Sequence, residues 1–141
     1  MKFWDASAVV PLLVPEPPTD PLLALLAADT AMLIWWATPV EVTSALARRE
    51  REGNLPADGV TRALDRFRTL AAAWSEILPV DAIRLAAQRL LRIHPLRAAD
   101  ALQLAAAIVA SENDPASLEI VSLDERLNEV AGREGFAVVR P

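Results

Sequence analysis

The chain has no cysteine, one histidine, four glycines and a single lysine, Lys2, among 141 residues. Without cysteine, disulfides and thiolate metal sites are excluded, and nothing points to an oxidising compartment. The one histidine, His94, lies in Arg92-Ile93-His94-Pro95. A single imidazole excludes most zinc sites and argues against a Ser-His-Asp or Cys-His catalytic set. His94 reads as a loop or packing residue. The few glycines form neither GxGxxG nor GxxxxGK[ST], so a nucleotide-cradling loop has no support. No charge-free apolar stretch reaches about 18 residues, so no membrane span is expected. The opening Met1-Lys2-Phe3-Trp4-Asp5 lacks the shape of a signal peptide. A soluble cytoplasmic protein is the expectation. If the chain is an enzyme, what remains is carboxylate chemistry, alone or with a hard metal ion.

What is present is a globular composition, 53% hydrophobic and 23% charged, in a chain long enough to bury one core. A single domain over residues 1–141 is expected. The net charge of −5 argues against a large non-specific nucleic-acid surface. Yet the positive charge is nearly all arginine, clustered at Arg48, Arg49 and Arg51, at Arg62, Arg66 and Arg68, and at Arg84, Arg89, Arg92 and Arg97. Most of these read as solvated helix faces. Arginine also forks onto oxyanions, so a small basic rim around an acidic centre stays open.

Along the chain, apolar strand-like runs alternate with helical periodicity. Lys2-Phe3-Trp4 is a short strand ending at Asp5, and a helix-like stretch follows from Ser7 to Val14. Prolines mark residues 15–21 as a turn. Leu22 to Ala28 reads as a helix and Ala31 to Trp36 as a buried strand. Trp35 and Trp36 should face opposite sides of that strand, both packed in the core, with base stacking the lesser reading. Thr38-Pro39-Val40-Glu41 predicts a helix start with Thr38 as cap, Pro39 in the first turn and Glu41 closing a capping box. That helix stops near Gly53-Asn54. Further helices are expected from Pro56 to Ala73, Asp81 to Arg92, Ala98 to Ala110 and Asp124 to Arg133. Further strands are expected at 76–80, 118–123 and 136–139. The alternation predicts an α/β sandwich around a mostly parallel sheet.

Three acids fall at strand-to-helix junctions: Asp5, Glu41 and Asp124. In a parallel sheet those junctions lie along the carboxyl edge, where open α/β folds place their sites. Asp100 opens the helix that leads into the strand at 118–123. That helix runs antiparallel to the strand it feeds, which returns Asp100 to the same edge. Taken singly, each acid fits a structural role. Acids at helix N-termini gain ~0.3–1 kcal/mol from the helix dipole. Asp5 can cap the following helix, and a Ser122/Glu125 capping box leaves Asp124 an ordinary first-turn acid. Convergence of all four is harder to assign to capping. Crowded carboxylates raise one another's pKa, and a divalent cation relieves the repulsion. Oxygen-only ligands select Mg²⁺ or Mn²⁺. Such a site suits phosphodiester hydrolysis by in-line attack.

Four stretches carry a resemblance: Phe3-Trp4-Asp5-Ala6-Ser7-Ala8; Pro39-Val40-Glu41-Val42-Thr43-Ser44-Ala45-Leu46; Leu96 through Ala107, centred on Ala99-Asp100-Ala101; and Ile120-Val121-Ser122-Leu123-Asp124-Glu125-Arg126-Leu127, with Glu134-Gly135-Phe136 following. In this order they resemble PIN domains of VapC-type toxins, and they span nearly the whole chain. The resemblance implies a three-layer α/β/α fold around a parallel sheet of about five strands. It implies a Mg²⁺- or Mn²⁺-dependent endoribonuclease cutting single-stranded or structured RNA, tRNA loops among them. Carried over by motif, Asp5, Glu41 and Asp100 are the core metal ligands, Asp124 is the fourth and more variable acid, and Ser7 hydrogen-bonds a ligand or metal-bound water. The resemblance also implies a homodimer and a cognate antitoxin whose tail fills the groove. Two other readings stand beside the toxin: a PIN nuclease of RNA processing or DNA metabolism without an antitoxin, and a non-catalytic PIN interaction module. An aspartyl phosphatase is disfavoured, because it wants a second acid two residues after Asp5, where Ser7 stands.

Overall fold

A computed structural model describes residues 1–141. Five strands form one sheet in the order β3-β2-β1-β4-β5, and every neighbouring pair is parallel. In chain order they are β1 (Lys2–Trp4), β2 (Met32–Trp35), β3 (Ser75–Ile77), β4 (Glu119–Val121) and β5 (Ala137–Val139). Seven helices connect and cover them: α1 (Ala6–Leu13), α2 (Thr19–Ala28), α3 (Thr38–Arg51), α4 (Ala57–Ala71), α5 (Asp81–Ile93), α6 (Ala98–Ala110) and α7 (Glu125–Arg133). The result is the expected three-layer α/β/α architecture around a five-stranded parallel sheet.

The two-residue period of the strands builds the layers. Successive side chains of a strand point to opposite faces. Phe3, Trp35 and Ile120 pack on one face with residues of α5, α6 and α7. Trp4, Ile34 and Val121, their neighbours in sequence, pack on the other face with α1 to α4. Both faces of the central strands are buried, which is why these strands read as continuous apolar runs rather than alternating ones. The alanines of α6, Ala101 and Ala105 to Ala107, are almost wholly buried. Their small side chains let α6 lie close to the sheet and to α5.

Several boundaries move from their sequence expectations. Residues 19–21 belong to the first turn of α2, where Pro21 is tolerated because its missing N–H has no helical partner. Trp36 lies in the turn after β2 and is 52% exposed, while Trp35 is in the core. The expectation that both tryptophans are buried is therefore corrected, because the strand ends one residue early. The capping box at Thr38 also does not form. Thr38 is the first helical residue rather than the cap, and Ala37 caps α3 without a side-chain hydrogen bond. Asp81 similarly opens α5 as its first residue, with Val80 before it. His94 follows α5 as expected of a packing residue: its Nε2 is 2.7 Å from Glu134 Oε1, and Arg89 holds the same carboxylate at 2.6 Å.

Candidate active site

The carboxyl edge of the sheet carries all four acids. Asp5 follows β1 directly and caps α1. Its backbone N–H still donates to Val121 O of β4 at 3.0 Å, so the acid is pinned to the sheet edge. The side chain is only 4% exposed. Its Oδ2 accepts from Ser7 N at 3.1 Å, Ser7 Oγ at 2.5 Å and Ser122 Oγ at 3.2 Å. Burial pushes the Asp5 carboxyl above its ordinary value. The Ser7 and Ser122 hydrogen bonds oppose that rise, and repulsion from Asp124 adds to it.

The loop after β4 is tied to Asp5 through the same two serines. Ser7 Oγ accepts from Leu123 N at 2.9 Å, and Ser122 Oγ accepts from Asp124 N at 3.1 Å. Asn128 Nδ2 holds Ser122 O at 2.9 Å. Asp124 is the N-cap of α7 and accepts from Leu127 N at 2.9 Å through Oδ1. The expected Ser122/Glu125 box is thus replaced. Ser122 turns inward to Asp5, and Asp124 itself caps the helix through Oδ1, which leaves its second carboxylate oxygen without a hydrogen-bond partner.

Glu41 projects from the first turn of α3, and its Oε1 accepts from Gln103 Nε2 at 2.9 Å. The same amide donates to Thr38 Oγ1 at 3.1 Å. Gln103 is fully buried, three residues after Asp100 on α6, and so shares a helix face with it. Burial, repulsion from Asp5 and repulsion from Asp100 push Glu41 up to about 7, with the Gln103 hydrogen bond opposing. Asp100, in the first turn of α6, is raised by burial and by Asp124 and Asp5, while Arg97 and Arg126 pull it down.

The four acids share one cleft. Asp5, Glu41, Asp100 and Asp124 line a hollow of about 370 Å³ together with Ser7. It opens into a wider hollow of about 690 Å³ lined by Glu41, Asp100 and Asp124 and by Arg48, Arg97 and Arg126. As they stand, no three His, Asp or Glu side chains are gathered closely enough to hold a metal ion. The donor chemistry fits a hard divalent ion: the cleft offers the four carboxylates and the Ser7 hydroxyl, and no sulfur or imidazole.

Sequence reasoning brought the four acids together and placed Ser7 beside them. It missed Gln103 and Ser122, which fix the directions of Glu41 and Asp5. The available signal for Gln103 was a lone amide on the buried face of an alanine- and leucine-rich helix, one turn from Asp100. Replacing it by an apolar side chain of similar length tests its role. If Glu41 is a metal ligand of a nuclease, Gln103→Met should lower the catalytic rate by about 10–100-fold, the usual cost of losing a ligand's supporting hydrogen bond. Because that hydrogen bond lowers the Glu41 pKa, the acid limb of the pH–rate profile should move to higher pH. An unmoved profile would show that Gln103 only packs.

Two solved structures share the fold. FitAcB from Neisseria gonorrhoeae superposes with a TM-score of 0.68 at 17% sequence identity, covering 100% of this chain and 98% of that one. PAE2754 from Pyrobaculum aerophilum superposes with a TM-score of 0.65 at 19% identity, covering 97% of this chain and 81% of that one. No curated protein sequence matches the chain. The PIN domain family matches residues 2–133, a span that contains all four acids and all but the last strand. The chain therefore belongs to the PIN domain family.

Proposed function

We propose that the chain is a Mg²⁺-dependent endoribonuclease of the VapC toxin type, with Mn²⁺ as a substitute ion. Its substrate is single-stranded or structured RNA, tRNA among the candidates, and a cognate antitoxin neutralises it. PIN domains are generally nucleases, which sets the reaction class. The observation that carries the reading is the gathering of Asp5, Glu41, Asp100 and Asp124 from four separate elements into one cleft, three of them raised by burial and by one another.

In this reading Asp5, Glu41 and Asp100 hold the ion, and Asp124 completes the set. When bound, the ion supplies positive charge to a phosphate oxygen and acidifies water for attack on phosphorus. The protein's own groups do the rest. Ser7 and Ser122 hold Asp5 in one orientation by donating to Oδ2. Gln103 does the same for Glu41 through Oε1. Asp124 keeps one oxygen on the α7 N-terminus, so its direction is set by the helix start.

Exposed apolar side chains offer room for the protein partners. Val40 is 68% exposed at the mouth of the cleft, and Trp36 stands nearby in sequence. On α5, Leu85, Leu91 and Ile93 are exposed. The antitoxin and a second copy of the chain are the occupants this reading assigns to such surfaces. No helix is long and apolar enough to cross a membrane.

The test is cleavage of total tRNA by the purified protein in Mg²⁺ or Mn²⁺ against EDTA. Metal-dependent cutting is expected. A folded protein that cuts no RNA in either ion would overturn the reading in favour of a PIN module that only binds. Asp124→Asn should reduce the rate by about 10–100-fold, in the range found for groups that support a metal site. Asparagine caps a helix as well as aspartate does, so the fold should stand. Loss of all activity in that variant would promote Asp124 to an essential ligand.

A further inference from the structure

Seven of the chain's arginines are in ion pairs: Arg49 with Glu16, Arg62 with Asp58, Arg68 with Asp65, Arg84 with Asp81, Arg89 with Glu134, Arg133 with Glu129 and Arg140 with Glu125. The three arginines that line the wider hollow, Arg48, Arg97 and Arg126, have no such partner, although acids are at hand there. All three are exposed. They come from different elements: Arg48 from α3, Arg97 from the residue capping α6, and Arg126 from the first turn of α7. Helix α3 belongs to one helical layer and α6 and α7 to the other. The four carboxylates, on the sheet edge between the layers, thus have unpaired guanidinium groups on both sides.

A protein of net charge −5 has acids to spare for its arginines. Six arginines lack an ion-pair partner, and three of the six stand side by side with the acids of one cleft, which favours a ligand that is itself anionic. The guanidinium fork matches phosphate oxygens in a bidentate way. The acids alone would repel a polyanion, so an anionic substrate needs positive charge next to them. Resting on the nuclease reading above, we propose that Arg48 on one side and Arg97 with Arg126 on the other form a two-sided phosphate rim. It seats an RNA strand across the carboxylates by the phosphates flanking the one to be cut. Contacts of this kind bind and orient the strand without reading its bases.

The test is fluorescence anisotropy with a fluorescein-labelled 12-nucleotide oligouridylate in EDTA, where no cutting occurs, over a series of salt concentrations. Three phosphate contacts to a single strand predict a slope of log affinity on log salt of about −2. Each of Arg48→Gln, Arg97→Gln and Arg126→Gln should weaken binding by roughly threefold to tenfold at low salt and flatten the slope by about 0.7. Arg92→Gln serves as control, since Arg92 is exposed, has no acid partner and lies outside the cleft; it should change neither. An equal effect of Arg92→Gln would reduce the rim to general surface charge and overturn the proposal. An acidic peptide of matching charge is the second probe. If the triple variant loses the peptide and keeps the RNA, the arginines serve a protein partner and the phosphate rim is overturned. The nuclease reading is tested separately: wild type that cuts RNA in Mg²⁺, with a triple variant of unchanged KM and salt slope, sinks the rim and leaves the nuclease standing. Wild type that neither binds nor cuts RNA sinks both.

Discussion

Asp5→Asn should abolish metal-dependent RNA cutting and relieve any growth arrest, while the folded protein survives. The side chain is the most buried of the four acids and touches the largest number of fixed donors. A carboxylate contributes its charge at the ion, whereas an amide of the same shape contributes a weak dipole. Unit charges about 4 Å apart interact by ~4 kcal/mol at an effective dielectric of ~20. A loss of that size corresponds to a rate fall on the order of 10³-fold. The fold should tolerate the change. Asparagine is as good an N-cap as aspartate, so the hydrogen bond from Ser7 N can remain. Burial already disfavours the ionised carboxylate, so removing its charge relieves the metal-free protein. The variant's melting temperature in EDTA should therefore equal or exceed that of wild type at neutral pH. Full activity in Asp5→Asn would show that the site lies elsewhere. A collapsed melting temperature would show that the carboxylate is chiefly a structural cap.

How much of this was legible in the sequence depends on the range of the interaction. The strand-to-helix junctions could be read locally, because an apolar run ending in an acid is a short pattern. Parallel pairing then carried Asp5 and Asp124 to one edge, and the antiparallel return of α6 carried Asp100 there. Helix α6 itself was read to the residue, since Pro95 precedes it and its apolar face is continuous. The buried hydrogen bonds were not legible. Gln103 reaches Glu41 across 62 positions of sequence, and Ser122 reaches Asp5 across 117. No local spacing encodes such pairs.

The failures of the capping expectations have the same origin. Thr38 and Glu41 have the spacing of a capping box, and Ser122 and Glu125 repeat it. In both places a polar partner from a distant segment competes for the side chain. The Thr38 hydroxyl accepts from Gln103 Nε2, and the Ser122 hydroxyl donates to Asp5 Oδ2. A local cap contributes about 1 kcal/mol. Leaving a buried amide or carboxylate oxygen without a partner costs about 1–3 kcal/mol. Tertiary satisfaction therefore wins, and the helix starts make do with Ala37 and Asp124. The displaced caps and the residues that sequence reading missed are two views of one fact: this edge of the sheet is organised around its acids.

That organisation predicts a stability profile opposite to the common one. Metal-free protein should be most stable near pH 5 and lose stability as the pH rises. Asp5, Glu41 and Asp100 all have folded-state pKa values above their ordinary ones. A raised acid binds its proton more tightly in the folded state than in the unfolded state. Stability therefore falls as pH climbs from the unfolded pKa to the folded one. For Glu41 the window runs from 4.5 to about 7, and the loss is complete above it. Taken at face value that shift corresponds to ~3 kcal/mol, and solvent screening at this half-buried group reduces it to about 1–2 kcal/mol. Between pH 5 and pH 8 in EDTA the melting temperature should drop by about 5 °C. Mg²⁺ should restore it at pH 8, where the carboxylates are ionised and free to bind. The same ion should do little at pH 5, where protons compete for the oxygens. Thermal unfolding at the two pH values, with EDTA and with Mg²⁺, checks both halves. In Glu41→Gln the pH-dependent drop should shrink, because the group that titrates in this window is gone. Equal melting temperatures at pH 5 and pH 8 in EDTA would show that neither burial nor mutual repulsion raises these acids in the folded protein, and this part of the case for a cation among them would fall.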